Sequence, residues 1–484
     1  MSTLIIGRET ELKTLTVIQN SQRPEFLAIY GRRRIGKTFL IREFFYNKGT
    51  FFHITGVKGA KIQKQIRNFT EELTRIFSSI MTSKMNDWHE AFYELNKQIE
   101  STPGSQRIIL FFDELPWLSS AKSGFLEELE YFWNKYVSHN PRVIIIVCGS
   151  AATWMIHKVI QNKGGLHGRL TSTIKLMPFS LRESKKYLKS KNIIMDKKQV
   201  LDLYMAIGGI PKYLSYVERG LSCVQNINRI CFQGPLLDEF NELYSSLFEK
   251  YHSHVAIVRA LAQSNQGLTK MEISKATDIS CGGGMNSILD DLESSGFLII
   301  VPNLGKIKKE IRYRLMDEYS LFYLKWIEPV KKLNIGGVRM DDNYWMTVCG
   351  TPKVNTWAGY SFENICLKHI QQIKMALGIT GVITQTSGWF YRSANDHEQG
   401  AQIDLVIDRS DHCINLCEIK FNTISYIVTK EYEKKIRNRM ALFKEKTKTN
   451  KHIFSTFITV YGVNKERGYS GVVDNEVTMK ELFK

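Results

Sequence analysis

Gly31-Arg32-Arg33-Arg34-Ile35-Gly36-Lys37-Thr38 satisfies the pattern G-x-x-x-x-G-K-[ST] at every fixed position. The apolar run Phe26-Leu27-Ala28-Ile29-Tyr30 before it reads as a buried strand. Lys37 to Phe45 after it reads as a helix. Gly31 and Gly36 let backbone N–H groups close round a polyphosphate, and the helix N-terminus adds its positive end. Arg32, Arg33, Arg34 and Ile35, with Phe39 just inside the helix, complete the expected lining. Lys37 is expected to reach the β/γ-phosphates, and the Thr38 hydroxyl to ligate Mg²⁺.

A nucleotide hydrolase needs carboxylates at the end of a second strand. Arg107-Ile108-Ile109-Leu110-Phe111-Phe112-Asp113-Glu114 supplies them in the Walker B form. Asp113 is expected to hold the Mg²⁺ shell and Glu114 to polarise the attacking water. A third apolar run, Val143 to Cys148, ends in Gly149-Ser150. Ser150 is placed to sense the γ-phosphate or position the water, although serine after a strand is also ordinary turn chemistry.

The 484 residues suggest three or four domains, and 43% hydrophobic content suffices for packed cores. A formal charge of +18 points to polyanionic partners, DNA or other nucleic acid before a membrane surface. No apolar run approaches the roughly 20 residues that span a bilayer. Met1-Ser2-Thr3-Leu4 does not open a secretory signal, and the eight scattered cysteines read as reduced core residues. These features give the expectation of a cytoplasmic protein.

The α/β pattern of strands alternating with helices runs over 1–177, the expected phosphate-loop core. Residues 178–250 have helical spacing broken at Gly208-Gly209-Ile210-Pro211 and read as a helical lid. Residues 251–328 read as a winged helix-turn-helix: three helices, the second opened by the capping box Thr269-Lys270-Met271-Glu272, then two wing strands with Lys306, Lys308 and Lys309 at the tip. The third helix carries Asp290, Asp291 and Glu293, which repel phosphate, so DNA binding and protein packing both stand as its role. Residues 329–355 lack a clear period and read as a connector before an α/β block at 356–484.

That last block carries a second constellation. Gln402 to Asp408 and Ile414 to Lys420 alternate as strands joined by the short turn Asp408-Arg409-Ser410-Asp411-His412. Strict alternation sends Ile403, Leu405 and Ile407 to one face and Gln402 and Asp404 to the other, with Glu418 and Lys420 sharing a face of the second strand. Asp404 and Glu418 are expected to converge on Mg²⁺, with Lys420 activating water, as metal-dependent phosphodiester hydrolysis requires. Glu363, in a preceding helix, is a further candidate metal ligand. Between Phe421 and Lys451, nine Lys/Arg stand against three Glu, a basic stretch suited to tracking a phosphate backbone.

Ile6-Gly7-Arg8-Glu9-x-Glu11-Leu12, the triple-arginine loop, Phe112-Asp113-Glu114 and Gly209-Ile210-Pro211 together resemble archaeal and bacterial AAA+ ATPases of the STAND/origin-recognition-like group. In that group a C-terminal extension is similar to a PD-(D/E)XK restriction-type nuclease domain. The resemblance implies an AAA+ parallel sheet with a helical lid, a winged helix and a restriction-endonuclease-like α/β domain. It also implies ATP as cofactor, with Gly7 and Arg8 beside the adenine and Pro211 closing the site from the lid. Arg169 falls where such ATPases carry an arginine that touches the γ-phosphate, which a homo-oligomer would supply from a neighbouring subunit. The sequence departs from the nuclease pattern at Gln402 and Ile403, where an acidic or Pro-Asp pair often stands. Two readings follow: an ATP-driven enzyme acting on DNA through a gated, Mg²⁺-dependent nuclease-like domain, or a nucleotide-dependent switch or scaffold whose nuclease-like domain is inactive.

Overall fold

The computed structural model describes residues 5–78, 84–120, 122–161, 166, 168–304, 311–335, 343–391, 400–465 and 471–484. The expected wing-tip lysines at 306, 308 and 309 lie outside them. The chain forms two compact units. The first is Met1–Pro178 with 246–249 and 294–296, and the second is the remainder.

The first unit is built on five strands, β1 (Glu25–Tyr30), β2 (Thr50–Thr55), β3 (Ile108–Asp113), β4 (Val143–Gly149) and β5 (Ser172–Lys175). All pair in parallel, in the order β2-β3-β4-β1-β5. Every residue of β3 and β4 is buried, which accounts for their unbroken apolar runs: a parallel sheet is covered on both faces. On one face, Phe26, Phe52, Leu110, Phe112 and Ile145 pack against Phe69, Trp88, Phe92 and Phe125 from the helices Ile62–Phe77, Trp88–Ser101 and Phe125–Phe132. Asp87 caps the Trp88 helix by accepting from the Glu90 N–H. Trp88 is 1% exposed and meets the Phe125 ring edge-on at 4.7 Å, so its loss would cost about 3–5 kcal/mol.

In the second unit, capping boxes at Ser180/Glu183 and Ser222/Gln225 open the helices Leu181–Ser190 and Cys223–Phe232. The helices Tyr251–Ala262, Lys270–Thr277 and Gly283–Ser294 follow, with the Thr269/Glu272 box formed as its sequence requires. Then β6 (Leu298–Val301) and β7 (Arg312–Leu315) pair antiparallel. The stretch read as a connector is largely helical among its described residues: Glu328–Ile335, Tyr344–Val348 and the start of Pro352–Lys368. The cause is tertiary. Trp345 packs edge-on against Trp326 at 5.4 Å and Trp357 at 6.0 Å, and such a cluster leaves no regular period in the sequence.

Five further strands close the unit: β8 (Thr384–Tyr391), β9 (Ala401–Arg409), β10 (Cys413–Lys420), β11 (His452–Thr459) and β12 (Asn475–Thr478). They form a mixed sheet ordered β12-β11-β10-β9-β8, with the basic helix Lys430–Thr447 crossing between the parallel strands β10 and β11. The strict alternation expected of β9 fails at one place. Ser387 pairs with Val406 but Trp389 with Ile403, so Asp404 and Leu405 together oppose Gly388 in a β-bulge. Ile403 and Val406, three apart, therefore share one core cluster with Trp389, Leu416 and Phe443.

Candidate functional sites

The order of the first sheet decides what meets what. Lys37 and Thr38 follow β1, Asp113 ends β3, and Ser150 follows β4. Because β4 runs between β1 and β3, the three strand ends stand side by side. The loop is held in the curl its sequence requires: Arg34 has φ +70° and Gly36 φ +90°. A Cβ on Gly31 would lie 2.3 Å from the Leu176 carbonyl oxygen, so no larger residue fits.

Lys37 is buried, and its Nζ donates to the Gly31 and Arg32 carbonyls at 2.8 and 3.0 Å, inside the ring of the loop. Thr38 Oγ1 donates to Asp113 Oδ2 at 2.7 Å, joining the two groups expected to share one cation. Burial pushes the Asp113 carboxyl up, but hydrogen bonds from His53, Thr38 and Cys148 bring it below its ordinary value. The carboxylate is therefore charged. Burial, with the Asp113 charge beside it, pushes the Cys148 thiol well up and keeps it neutral.

Glu114 has φ +49°, and its N–H donates to Asp113 Oδ1 at 3.0 Å. The Ser150 hydroxyl donates to one Glu114 carboxylate oxygen, and the Ser150 N–H to the other at 3.3 Å. Ser150 thus orients Glu114, a partnership that the sequence reading did not contain. His53, also unread from sequence, comes from β2, whose Thr55 pairs with Asp113. Its ring lies 3.9 Å from the Asp113 carboxylate and stacks on Phe111 at 4.7 Å.

Arg8 is buried with φ +62°. It donates to the Ile35 carbonyl at 3.1 Å and the Met177 carbonyl at 2.7 Å, so it braces the phosphate loop against the chain leaving β5. Gly7, φ +66°, precedes it, and Arg33 is partly exposed on the loop. Phe39 is 44% exposed, a position open to a ligand rather than part of the core. Arg169 Nε donates to Asn134 at 2.8 Å, and its Nη2 lies 3.9 Å from Glu130. Pro211 opens the short helix Pro211–Leu214 in the second unit.

A family model described as an ATPase domain predominantly from Archaea matches residues 5–217. The match supports ATPase activity for this part of the chain. An uncharacterized protein of Methanocaldococcus jannaschii is 23% identical over 432 residues, 87% of this chain and 88% of that protein. An uncharacterized ATP-binding protein of the same organism is 40% identical over 45 residues, 9% of this chain and 76% of that protein. Among solved structures, a Walker-type ATPase of Pyrococcus abyssi aligns with a TM-score of 0.46 at 19% identity, covering 66% of this chain and 96% of that one. The Aeropyrum pernix ORC2 protein aligns at 0.41 and 13% identity, covering 69% and 96%.

The second constellation lies in the other unit. Leu405 pairs with Cys417, so Asp404 and Glu418 adjoin across β9 and β10. Glu363, in the helix Pro352–Lys368, is near enough to Asp404 to feel its charge: burial first, then Asp404, raise the Glu363 carboxyl to about 7. Lys420 Nζ lies 2.8 Å from Glu418, which also accepts from Arg439 and the Tyr432 hydroxyl. Burial pushes the Glu418 carboxyl up, but Lys420 and Arg439 bring it below its ordinary value. Gln402 donates to Asp404. Arg314 of β7 pairs with Glu363 at 3.1 Å. Each carboxylate thus has a protein partner, and among the described residues no three acidic, His or Cys side chains are set to hold a metal together. No helix among the described residues is long and apolar enough to cross a membrane.

Proposed function

We propose that this ATPase acts on nucleic acid, and that ATP binding and hydrolysis by its first unit gate a Mg²⁺-dependent, nuclease-like domain at 356–484. The observation that carries the reading is that one chain joins two acidic and basic constellations: Lys37–Thr38–Asp113–Glu114, and Asp404 adjoining Glu418 and Lys420, with Glu363 near enough to feel the Asp404 charge. Asp404 raises the proton affinity of Glu363, a repulsion that a divalent cation would relieve.

In the first unit Thr38 and Asp113 would hold Mg²⁺, Lys37 the β/γ-phosphates, and Glu114, oriented by Ser150, the attacking water. Arg169 would serve the γ-phosphate of a neighbouring subunit in a homo-oligomer. Gly7 and Arg8 would border the adenine. In the second unit Asp404 and Glu418, two carboxylates rather than three, would hold a divalent cation that neutralises charge on a phosphodiester. Lys420 would orient water. The helices and strands of 251–315 would make up a winged helix that serves as a DNA- or protein-contacting module. The formal charge of +18 and the basic helix Lys430–Thr447 supply the attraction for a polyanion.

The engagement of Glu418 by Lys420, Arg439 and Tyr432, with Gln402 in place of an acid, favours the alternative of a nucleotide-dependent switch with an inactive domain. One assay separates the two. Plasmid or single-stranded DNA incubated with the protein, ATP and Mg²⁺ or Mn²⁺ should be cut, and Lys420→Ala should abolish cutting. Undiminished cleavage by that variant, or none by the unaltered protein under any of these conditions, removes the nuclease assignment.

A further inference from the structure

The helix Lys430–Thr447 presents two different faces. Its inner face seats Ile436 and Phe443 in the core and sends Tyr432 and Arg439 to Glu418. On the opposite face Lys430, Lys434, Arg437, Ala441, Lys444 and Lys448 succeed one another at intervals of three or four residues, and all six are exposed. At about 100° per residue they keep within about 40° of a single line along the helix. The helix of 18 residues makes that line about 27 Å long.

The acidic residues of the helix do not cancel this row. Glu431 pairs with Lys435 at 2.9 Å, Glu433 with Arg437 at 2.7 Å and Glu445 with Lys446 at 3.0 Å. Lys435 and Lys446 stand off the line, and Lys430, Lys434, Lys444 and Lys448 have no ion-pair partner among the described residues. Four unpaired ammonium groups held in a row by one helix suit a regularly charged polyanion, and Ala441 at the middle leaves no bulk between helix and ligand. The row offers no aromatic ring on which a base could stack, and the large apolar side chains of the helix face inward, away from any lipid. A stiff duplex held by its phosphates matches it better than a flexible single strand or a membrane.

We infer that the outer face of this helix is a docking surface for double-stranded nucleic acid, which it holds by backbone phosphates, without reading sequence, over about 8 base pairs at about 3.4 Å each. The inference rests on the nucleic-acid reading above and adds to it the strandedness of the substrate and the residues that hold it. It needs no metal, because the row lies on the side of the helix away from Glu418.

The test is fluorescence anisotropy of a labelled duplex of about 20 base pairs with the full chain in EDTA, between about 50 and 200 mM salt. Lys430→Gln/Lys434→Gln/Lys444→Gln/Lys448→Gln preserves helix propensity and leaves the buried face intact. At about 0.9 per phosphate contact, it should reduce the slope of log affinity against log salt by between about 3 and 4. Lys435→Gln/Lys446→Gln, which removes charge from the same helix off the row, should reduce it by less than about 1. The unaltered chain should hold the duplex about fivefold or more tighter than either separated strand, whose charge is less dense. An unchanged slope in the fourfold variant, an equal loss per charge in the off-row variant, or tighter binding of single strands or phosphatidylserine vesicles than of duplex overturns the inference. Failure of the unaltered chain to bind duplex or single strand at all instead overturns the nucleic-acid reading beneath it.

Discussion

Replacing Glu363 by Gln removes a buried carboxyl whose proton affinity is raised by burial and by Asp404, while an amide oxygen remains to accept from Arg314. In the folded chain this carboxyl titrates at about 7 against an ordinary 4.5. Below 4.5 the group is protonated both folded and unfolded and has no effect on the balance. As pH rises from 4.5 to about 7 the unfolded chain loses the proton first, so stability contributed by the protonated form is lost over that window and stays lost above it. At about 1.4 kcal/mol per tenfold change in acidity, the difference amounts to about 3 kcal/mol. The stability of the unaltered protein relative to Glu363→Gln should therefore fall by about that amount between pH 4.5 and 8. Urea titrations followed by tryptophan fluorescence, run on both proteins across that range, measure it. A difference that stays constant within about 1 kcal/mol would refute the argument that Glu363 and Asp404 are a strained pair.

Two further outcomes concern the ATPase unit. Arg8→Ala deletes two charge-assisted hydrogen bonds that brace the phosphate loop, so ATP affinity measured by calorimetry should fall about tenfold, with Arg8→Lys intermediate; unchanged affinity would reject the bracing role. Ser150→Ala removes the hydroxyl that orients Glu114 and should lower kcat about 10- to 100-fold with KM little changed, whereas a raised KM at normal kcat would assign Ser150 to binding.

What could be read from the sequence was local. The phosphate loop is contiguous, its strand and helix flank it directly, and each residue type answers to one requirement of a bound triphosphate. The Walker B strand was legible for the same reason, and so were the capping boxes, whose partners lie three residues apart. What depends on pairing between distant segments was not. Nothing near Ser150 announces that β4 lies between β1 and β3, yet that order brings its hydroxyl to Glu114. His53 is a lone histidine in an aromatic strand, and only the Thr55–Asp113 register makes it a neighbour of the carboxylate. Arg8 was associated with the adenine through resemblance, and its two backbone contacts depend on Ile35 and Met177, far along the chain. The bulge at Asp404 and Leu405 escaped because alternation alone cannot reveal an extra residue opposite Gly388. Arg314, in the short alternating strand Arg312-Tyr313-Arg314-Leu315, carried one signal that could have been used: an arginine flanked by apolar residues needs an acidic partner if it is buried, and Glu363 provides it.

The central claim is that Lys37, ringed by the Gly31 and Arg32 carbonyls, engages the phosphates of ATP and makes turnover depend on it. Steady-state phosphate release with ATP and Mg²⁺, measured side by side for the unaltered chain and Lys37→Ala, tests this directly. The account predicts release from the first and none above background from the second; equal release from both would contradict it.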